Sequence, residues 1–465
     1  MKGALVMMEQ LPSSYIRQMK ELLKEESEAF LNSYTEQRTF GLRLNPLNIR
    51  KSQKERTGEL VSLFGLTSVP WCPTGYYYKE ETRPGKHPYH AAGLYYLQEP
   101  SAMSAAEILN PEPGDIVLDL AAAPGGKSSQ IAGKLLGRGL LVANEIHPGR
   151  AKILAENIER MGAGNVLVVN ASPQQLAEKL PLFFDKIIVD APCSGEGMFR
   201  KDPEAIKEWS PEHVQMCAAR QMDILPDAIR MLKPGGLLVY STCTFNQEEN
   251  EGTIRALLAD YPEMRLISEE RIWPHLQKGE GHYVALLAKE EGSIRVTGEP
   301  EKSRRGGRNK TGKSSRNREE AEALQYFETF RKQFLPGYIL PEGSPVRFGD
   351  QLYWMPQAKE GMIPDMLNGL KVLRPGLHLG EMKKNRFEPS HALALAVSAG
   401  QAALALDLKP EDPMVQAYLR GEALYTGRSL SGWTLVCVNG FPLGWGKENQ
   451  GQLNNRYPKG LRRFA

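Results

Sequence analysis

The stretch Ile116-Val-Leu-Asp-Leu-Ala-Ala-Ala-Pro-Gly-Gly-Lys127, followed by Ser128 and Ser129, decides the fold. A short apolar strand runs into a small-residue turn, and a helical segment follows. Gly125 and Gly126 let the backbone come close to a ligand, and the helix start offers free N–H groups. A phosphate-cradling loop would need a glycine at position 121, where Ala121 stands. The dinucleotide pattern G-x-G-x-x-G is absent as well. What remains is a nucleoside-containing ligand without a pyrophosphate.

Outward from this turn, strands alternate with helices. Strands are expected at Ile116 to Leu120, Leu140 to Ile146, Asn165 to Asn170, Lys186 to Asp190 and Leu237 to Tyr240, with Met264 to Ser268 and Tyr283 to Ala288 closing the series. Helices are expected between them, notably Arg150 to Met161 and Pro211 to Met231. This alternation predicts an α/β, doubly wound Rossmann-like sheet, whose ligands sit beyond the carboxyl ends of the strands. Glu145 ends the second strand, where an acid can accept hydrogen bonds from ribose hydroxyls. Strand, glycine turn and second-strand acid together point to S-adenosylmethionine.

Cysteines stand at positions 72, 193, 217, 243 and 437, with no C-x-x-C and no histidine at metal-ligand spacing, so neither a disulfide framework nor a metal site is expected. Cys72, Cys217 and Cys437 read as small buried hydrophobes. Cys193 and Cys243 differ, because each lies just past the end of a central strand, in Asp190-Ala-Pro-Cys-Ser-Gly-Glu-Gly197 and Ser241-Thr-Cys-Thr244. Thiols beside a methyl donor suit covalent catalysis on cytosine. A thiolate adding to carbon 6 makes carbon 5 nucleophilic, and a second thiol can assist release. Asp190 could supply or share a proton at N3, and Lys127 could hydrogen-bond O2. The Asp-Ala-Pro-Cys stretch disfavours methylation of an exocyclic amine.

The composition is that of a globular protein: 58 Lys+Arg against 55 Asp+Glu, net charge +3, 41% hydrophobic and 24% charged over 465 residues. No run of 18 apolar residues exists, so no membrane span is expected. Met1 to Gln10 lacks the pattern of a secretory signal, and the cysteine usage fits a reducing cytoplasm. Leu11 to Leu31 has helical periodicity, and Thr39 to Asn45 is strand-like. Trp71, Tyr76, Tyr77, Tyr78 and Tyr89 lie in turn-rich segments and read as packing residues. Lys302-Ser-Arg-Arg-Gly-Gly-Arg-Asn-Lys310 reads as a basic linker with an RNA contact. Ser390 opens an Ala/Leu-rich helix. Asn439-Gly440 reads as a hairpin turn between strands Trp433 to Val438 and Phe441 to Gly446.

Asp119 to Lys127, Asp190 to Gly197 and Ser241 to Thr244, together with Leu97-Gln-Glu-Pro-Ser-Ala102 and Lys201-Asp-Pro203, resemble the motifs of the Nop/Sun family of RNA cytosine-5 methyltransferases. The end, with Leu443-Gly-Trp-Gly-Lys447 and Tyr457-Pro-Lys-Gly-Leu-Arg462, resembles the PUA-like module of bacterial F-type members acting on 16S rRNA. The resemblance implies that Cys243 is the nucleophile and Cys193 the releasing residue. It implies cofactor contacts at Ala121, Ala122, Ala123, Pro124, Gly125, Gly126, Lys127, Glu145, Arg150 and Asp190. Ser172 stands where the family commonly has an Asp near the adenine.

The division expected is an RNA-binding α+β domain at 1–95, a methyltransferase domain at 96–292, the linker at 293–319, an α+β domain at 320–388 and a PUA-like, β-rich RNA-binding domain at 389–465. The implied partner is 16S rRNA or the small ribosomal subunit, and the chain is expected to act as a monomer. The same chemistry on tRNA, a non-catalytic RNA-binding assembly factor and a small-molecule methyltransferase are the rivals. Both thiols, Asp190 and Lys127 argue against the second, and the basic extensions argue against the third.

Overall fold

The expected central strand is in place: β1 (Ile116–Asp119) lies in the middle of an eight-stranded sheet. In this computed structural model, residues 10–49, 53–292, 310–357, 367–384 and 386–462 are described. The other strands of the sheet are β2 (Leu140–Asn144), β3 (Val166–Asn170), β4 (Phe184–Asp190), β5 (Leu232–Thr242), β6 (Met264–Ile272), β7 (His282–Lys289) and β8 (Lys371–Pro375). Their order is β6-β7-β5-β4-β1-β2-β3-β8. Strands β1 to β5 are mutually parallel, whereas β7 runs antiparallel to β5. Chain order reverses between β1 and β4, which makes their carboxyl ends the ligand crevice. The strands are near-continuous apolar runs because helices cover both faces. Buried residues such as Val117, Leu141, Val168 and Ile188 face one helix layer, and Leu118, Val142, Leu167 and Ile187 face the other.

Helix α1 (Gly126–Leu135) follows β1, α2 (Pro148–Arg160) follows β2, and α3 (Pro173–Lys179) follows β3. Helix α4 (Pro211–Met231) precedes β5 and matches its expected span. Ser210 starts it by accepting from His213 N, and Pro211 sits at the first helical position, where its missing N–H costs nothing.

Three expectations shift. The helical pattern from Leu11 is cut in two, Ser13–Leu23 and Ser27–Ser33, because Lys24 turns the chain at φ 50°. Strand Tyr95–Leu97 pairs with Gly41–Leu44, so the N-terminal four-stranded sheet runs past residue 95. The 320–388 segment gives its own four-stranded sheet (Gly343–Phe348, Gln351–Pro356, Leu377–Lys383, Arg386–Pro389) but sends β8 to pair antiparallel with β3. That pairing covers an edge that would otherwise expose unpaired backbone groups.

Residues 1–9, 293–309 and 463–465, which hold most of the basic linker and the end of the basic tail, lie outside the described residues. A helix occupies Lys310–Phe334, and so begins inside the expected linker. Its buried Ala323, Phe327 and Phe330 recur at helical spacing and pack with Trp433 and Trp445. Ser390 caps a helix of only six residues, His391–Ala396. Asn439 (φ 47°) and Gly440 (φ 81°) form the expected hairpin turn between Ser431–Val438 and Phe441–Asn449.

The two ends of the chain share one apolar core. Leu42, Phe64, Tyr89 and Tyr95 pack with Val415, Tyr418, Leu443 and Leu453, and Asn439 Nδ2 donates to Tyr89 Oη at 2.6 Å. Tyr89 is thus a packing residue, as read from sequence. So is Trp71, whose Nε1 donates to Pro100 O at 2.8 Å.

Candidate active site

Beyond the carboxyl ends of β1, β4 and β5 lies a cavity of about 260 Å³, lined by Asp119, Ala121, Ala122, Ala123, Pro124, Gly126, Lys127, Asp190 and Cys243, with His282 in its wall. Gly125, at φ 111°, makes the turn into α1, a backbone conformation that L side chains rarely adopt. Arg43, from the N-terminal sheet and fully buried, props this turn. Its Nη2 donates to Gly126 O (3.1 Å) and Ser129 Oγ (2.8 Å), and its Nε to Gln98 Oε1 (3.0 Å).

Asp119 accepts from Ser128 Oγ at 2.6 Å through Oδ2, while its buried Oδ1 has no hydrogen-bond partner among the described residues. Burial pushes this carboxyl up to about 7. A buried, half-satisfied acid in the cavity wall suits a cationic ligand, which would restore its ionised form. The amino group and sulfonium of S-adenosylmethionine are cations of that kind, so the residues present fit the group.

Glu145, Arg150 and Ser172 lie outside the cavity, along the ends of the next two strands. Glu145 is buried and accepts from His147 N at 2.9 Å; Arg150 pairs with it at 3.5 Å and donates to Ala123 O at 2.8 Å. Ser172 caps α3 in a reciprocal pair with Gln175. Its hydroxyl accepts one hydrogen bond there, which leaves the hydroxyl hydrogen and a second lone pair for a ligand.

Lys127 and Asp190 form an ion pair at 2.7 Å, and Ser241 Oγ donates to Asp190 at 2.9 Å. Burial alone would push the Asp190 carboxyl up. The Lys127 ammonium, His282 and the two donors outweigh it and hold the group below the usual carboxylate range. Asp190 is therefore held toward its ionised form, and of the two roles expected of it at N3, supplying or sharing a proton, this favours sharing. It accepts from Lys127 and Ser241.

The two thiols meet. Cys193 Sγ and Cys243 Sγ are 3.4 Å apart, and of the two it is Cys243 that lines the cavity. The hydrogen bond to Cys243 first, and burial second, push the Cys193 thiol well above its ordinary value. Cys193 thus holds its proton and can donate it toward the Cys243 sulfur. Backbone bonds Ala191 N to Ser241 O and Gly197 N to Cys243 O, both 2.8 Å, tie the two loops together. Cys72, Cys217 and Cys437 are buried elsewhere, in agreement with their reading as core residues.

Sequence reasoning missed the residues that hold this geometry. Glu196, fully buried, accepts from Phe245 N (2.7 Å), Asn246 N (3.0 Å), Trp209 Nε1 (3.0 Å), Asn246 Nδ2 (3.2 Å) and Gln18 Nε2 (3.3 Å). Glu249 accepts from Ser194 N and Gln221 Nε2, each at 2.9 Å. The N-terminal helices brace the same loops through Tyr15 on Phe199 (5.1 Å between ring centroids) and Phe30 on Phe245 (5.0 Å). His282, 2% exposed, stands 3.9 Å from Asp190, with neither ring nitrogen hydrogen-bonded among the described residues. Its position follows from β7 running antiparallel, so that this strand starts where the parallel strands end.

With the geometry established, comparison with known proteins assigns the family. Four family models match in succession: the N-terminal domain of 16S rRNA methyltransferase RsmF at residues 11–100, 16S rRNA methyltransferase RsmB/F at 106–288, the RsmF first C-terminal domain at 329–397 and the RsmF PUA domain at 405–463. The ribosomal RNA small subunit methyltransferase F of Shewanella amazonensis is 33% identical over 84% of this chain and 85% of that protein. The chain belongs to the ribosomal RNA small subunit methyltransferase F family. Another member, from Aliivibrio fischeri, is 31% identical over 97% of both chains. Among solved structures, a methyltransferase homolog protein from Pyrococcus horikoshii is 27% identical, with a TM-score of 0.55, over 61% of this chain and 99% of that one. The methyltransferase F family thus spans the whole described architecture, from the N-terminal sheet to the PUA module.

Among the described residues, no helix is long and apolar enough to cross a membrane, and no cluster of three or more His, Cys, Asp or Glu could hold a metal ion.

Proposed function

We propose that this methyltransferase acts on carbon 5 of cytosine in 16S rRNA, through a covalent bond from Cys243 to carbon 6 that Cys193 helps to break. One observation carries the reading: the sulfur pair at 3.4 Å, with Cys243 facing the cavity and Cys193 protonated behind it. S-adenosylmethionine is the methyl donor. Asp119 and the turn Ala121 to Lys127 would hold its cationic amino-acid end, Glu145 its ribose and Ser172 its adenine.

The Cys243 thiolate adds to carbon 6 of a cytosine turned out of any stack. Lys127 donates to the charge spreading over N3 and O2, and ionised Asp190 accepts from the exocyclic amine. Once the Cys243 sulfur is a thioether, Cys193 loses the hydrogen bond that holds its proton. With carbon 5 bearing the methyl group that S-adenosylmethionine would supply, the Cys193 thiol releases its proton to water, and the resulting thiolate takes the proton of carbon 5. The carbon–sulfur bond breaks, Cys243 leaves as thiolate, and the starting pair is restored.

Cys193→Ala should accumulate an RNA–protein adduct that survives denaturing gels. Cys243→Ala should give neither adduct nor transfer while still binding the cofactor. An adduct with Cys243→Ala instead would reverse the roles, and one with neither variant would remove the covalent route. A nucleotide-resolution map of 5-methylcytosine in cells carrying only the Cys243→Ala protein reads the substrate. Loss at 16S rRNA positions supports the proposal, and loss confined to tRNA overturns that part of it. We place the protein in the cytoplasm as a monomer with the division into domains given above, the first extended through the strand Tyr95–Leu97 and the linker ending where the Lys310–Phe334 helix begins, its outer domains joined through their shared core and gripping one RNA.

A further inference from the structure

On the far side of helix α2 lies a second cavity, of about 590 Å³, where the N-terminal domain, the methyltransferase sheet and both C-terminal modules converge. Its distinguishing residue is Arg374 on β8, 4% exposed, beside a register shift between Val372 and Arg374. Such bulges re-aim side chains. The Nη1 atom of Arg374 donates to Ala163 O at 2.8 Å, but Nε and Nη2 have no hydrogen-bond partner among the described residues; the carboxylate that acts on it electrostatically, Glu159, makes no ion pair with it. A buried guanidinium with unspent donors is costly, and an anion would relieve that cost. Beside it His378 stacks on Tyr353, with ring centroids 4.6 Å apart at 25°, and the His378 Nε2 is also without a partner. His391 lines the same cavity, with Nδ1 likewise unpartnered. Glu159, a further lining residue, offers a carboxylate.

We propose that this cavity binds a nucleotide, with Arg374 taking the phosphate, the His378–Tyr353 wall taking the base, and Glu159 accepting from an amino or hydroxyl group. The chemistry fits part by part. A planar fork with free N–H groups matches phosphate oxygens. Aromatic faces take bases of any identity. The volume lies within the range of small-molecule sites. The cavity also backs onto the catalytic region: Asn157 lines it and donates through Nδ2 to Pro124 O, in the glycine turn, at 2.9 Å. The nucleotide can come from bound RNA or from the free pool. The RNA source rests on the substrate proposed above.

The test is a titration of the full-length protein with adenosine 5′-monophosphate in saturating S-adenosylhomocysteine, so that the cofactor site is filled. Saturable binding, competed by inorganic phosphate, is expected. Arg374→Gln should weaken it by roughly tenfold or more, the loss expected for a charge-assisted hydrogen bond. His378→Ala should weaken the nucleotide but leave phosphate competition in place. Because Arg374 also holds Ala163, unchanged affinity for S-adenosylhomocysteine certifies that each variant is folded. Photo-crosslinking of deproteinised 16S rRNA to Tyr353, suppressed by the nucleotide, would assign the site to RNA. Nucleotide binding without that crosslink would assign it to the free pool. Absence of binding to the unaltered protein overturns the proposal, and so does a folded Arg374→Gln protein that binds normally. None of these readings depends on methyl transfer, so failure here is distinguishable from failure of the catalytic reading.

Discussion

Replacing Glu196 should separate placement of the nucleophile from its chemistry. This carboxylate lies on the Cys193 loop yet accepts from the backbone N–H groups of Phe245 and Asn246, just after Cys243, and from three side-chain donors. In Glu196→Gln one oxygen remains, but its new NH2 group must face either the two backbone donors or the side-chain donors. At least one opposed pair follows, and a buried donor left unsatisfied costs about 1–3 kcal/mol. Relief requires the 243–246 loop to move. A misplacement of about 1 Å in a catalytic group costs on the order of 100-fold in rate. The expected outcome is a roughly 100-fold drop in kcat with unchanged S-adenosylmethionine affinity, accompanied by slower alkylation of Cys243 by iodoacetamide. Single-turnover transfer to 16S rRNA, a cofactor titration and mass-spectrometric labelling read these three quantities. If kcat and the alkylation rate both stay within about threefold of the unaltered protein, Glu196 does not position Cys243 and the reasoning fails.

Gly281→Ala should be equally damaging for a steric reason. At φ 115° a Cβ would come 2.3 Å from the Phe245 ring, so the variant should lose transfer activity along with native tryptophan fluorescence from Trp273, which stacks on Phe245. Lys127→Met should raise the acid limb of the pH–rate profile. Burial, which pushes Asp190 up, then acts without the ammonium that lowers it, and an unshifted limb would exclude Asp190 as the group responsible. His282 is held down to about 3 by burial, and His378 and His391 to about 4. The unfolded chain therefore takes up protons below its ordinary histidine pKa that the native chain refuses. Stability is lost as pH falls from about 6.5 toward 4, by up to about 1.4 kcal/mol per pH unit for each histidine. His282→Phe should flatten the fall of melting temperature over that window, and an unchanged slope would show that the ring is not buried neutral.

The parallel half of the sheet was legible because β1 to β4 are buried on both faces and read as continuous apolar runs between helices. Cys193 and Cys243 were legible because they follow two such runs at equivalent places. The direction of β7 was not, since an apolar stretch looks the same whichever way it is threaded. With that direction unknown, His282 could not be placed at the mouth of the site. The attachment of β8 was hidden for a related reason. Lys371–Pro375 is a short mixed segment about 200 residues from its partner β3, and only the exposed edge of β3 explains why it pairs there.

The residues that remained invisible share one physical property: they act through donors distant in sequence. Arg43 reaches Gly126 across 83 residues, and Glu280 accepts from Thr39 N across 241. Each is a charged side chain in a segment with no chemistry of its own. Read locally, such a residue is indistinguishable from a solvated surface charge, because its identity as a buried hub depends on partners that the fold alone supplies. The motif residues, by contrast, carry their chemistry in their own atoms. The site is therefore split between reacting groups that sequence can nominate and a scaffold of long-range hydrogen bonds that it cannot. Glu196 lies on that division: it sits inside a recognisable motif, yet its work is to hold the next loop. That is why its replacement is the sharper test of the geometry, while the cysteines test only the chemistry.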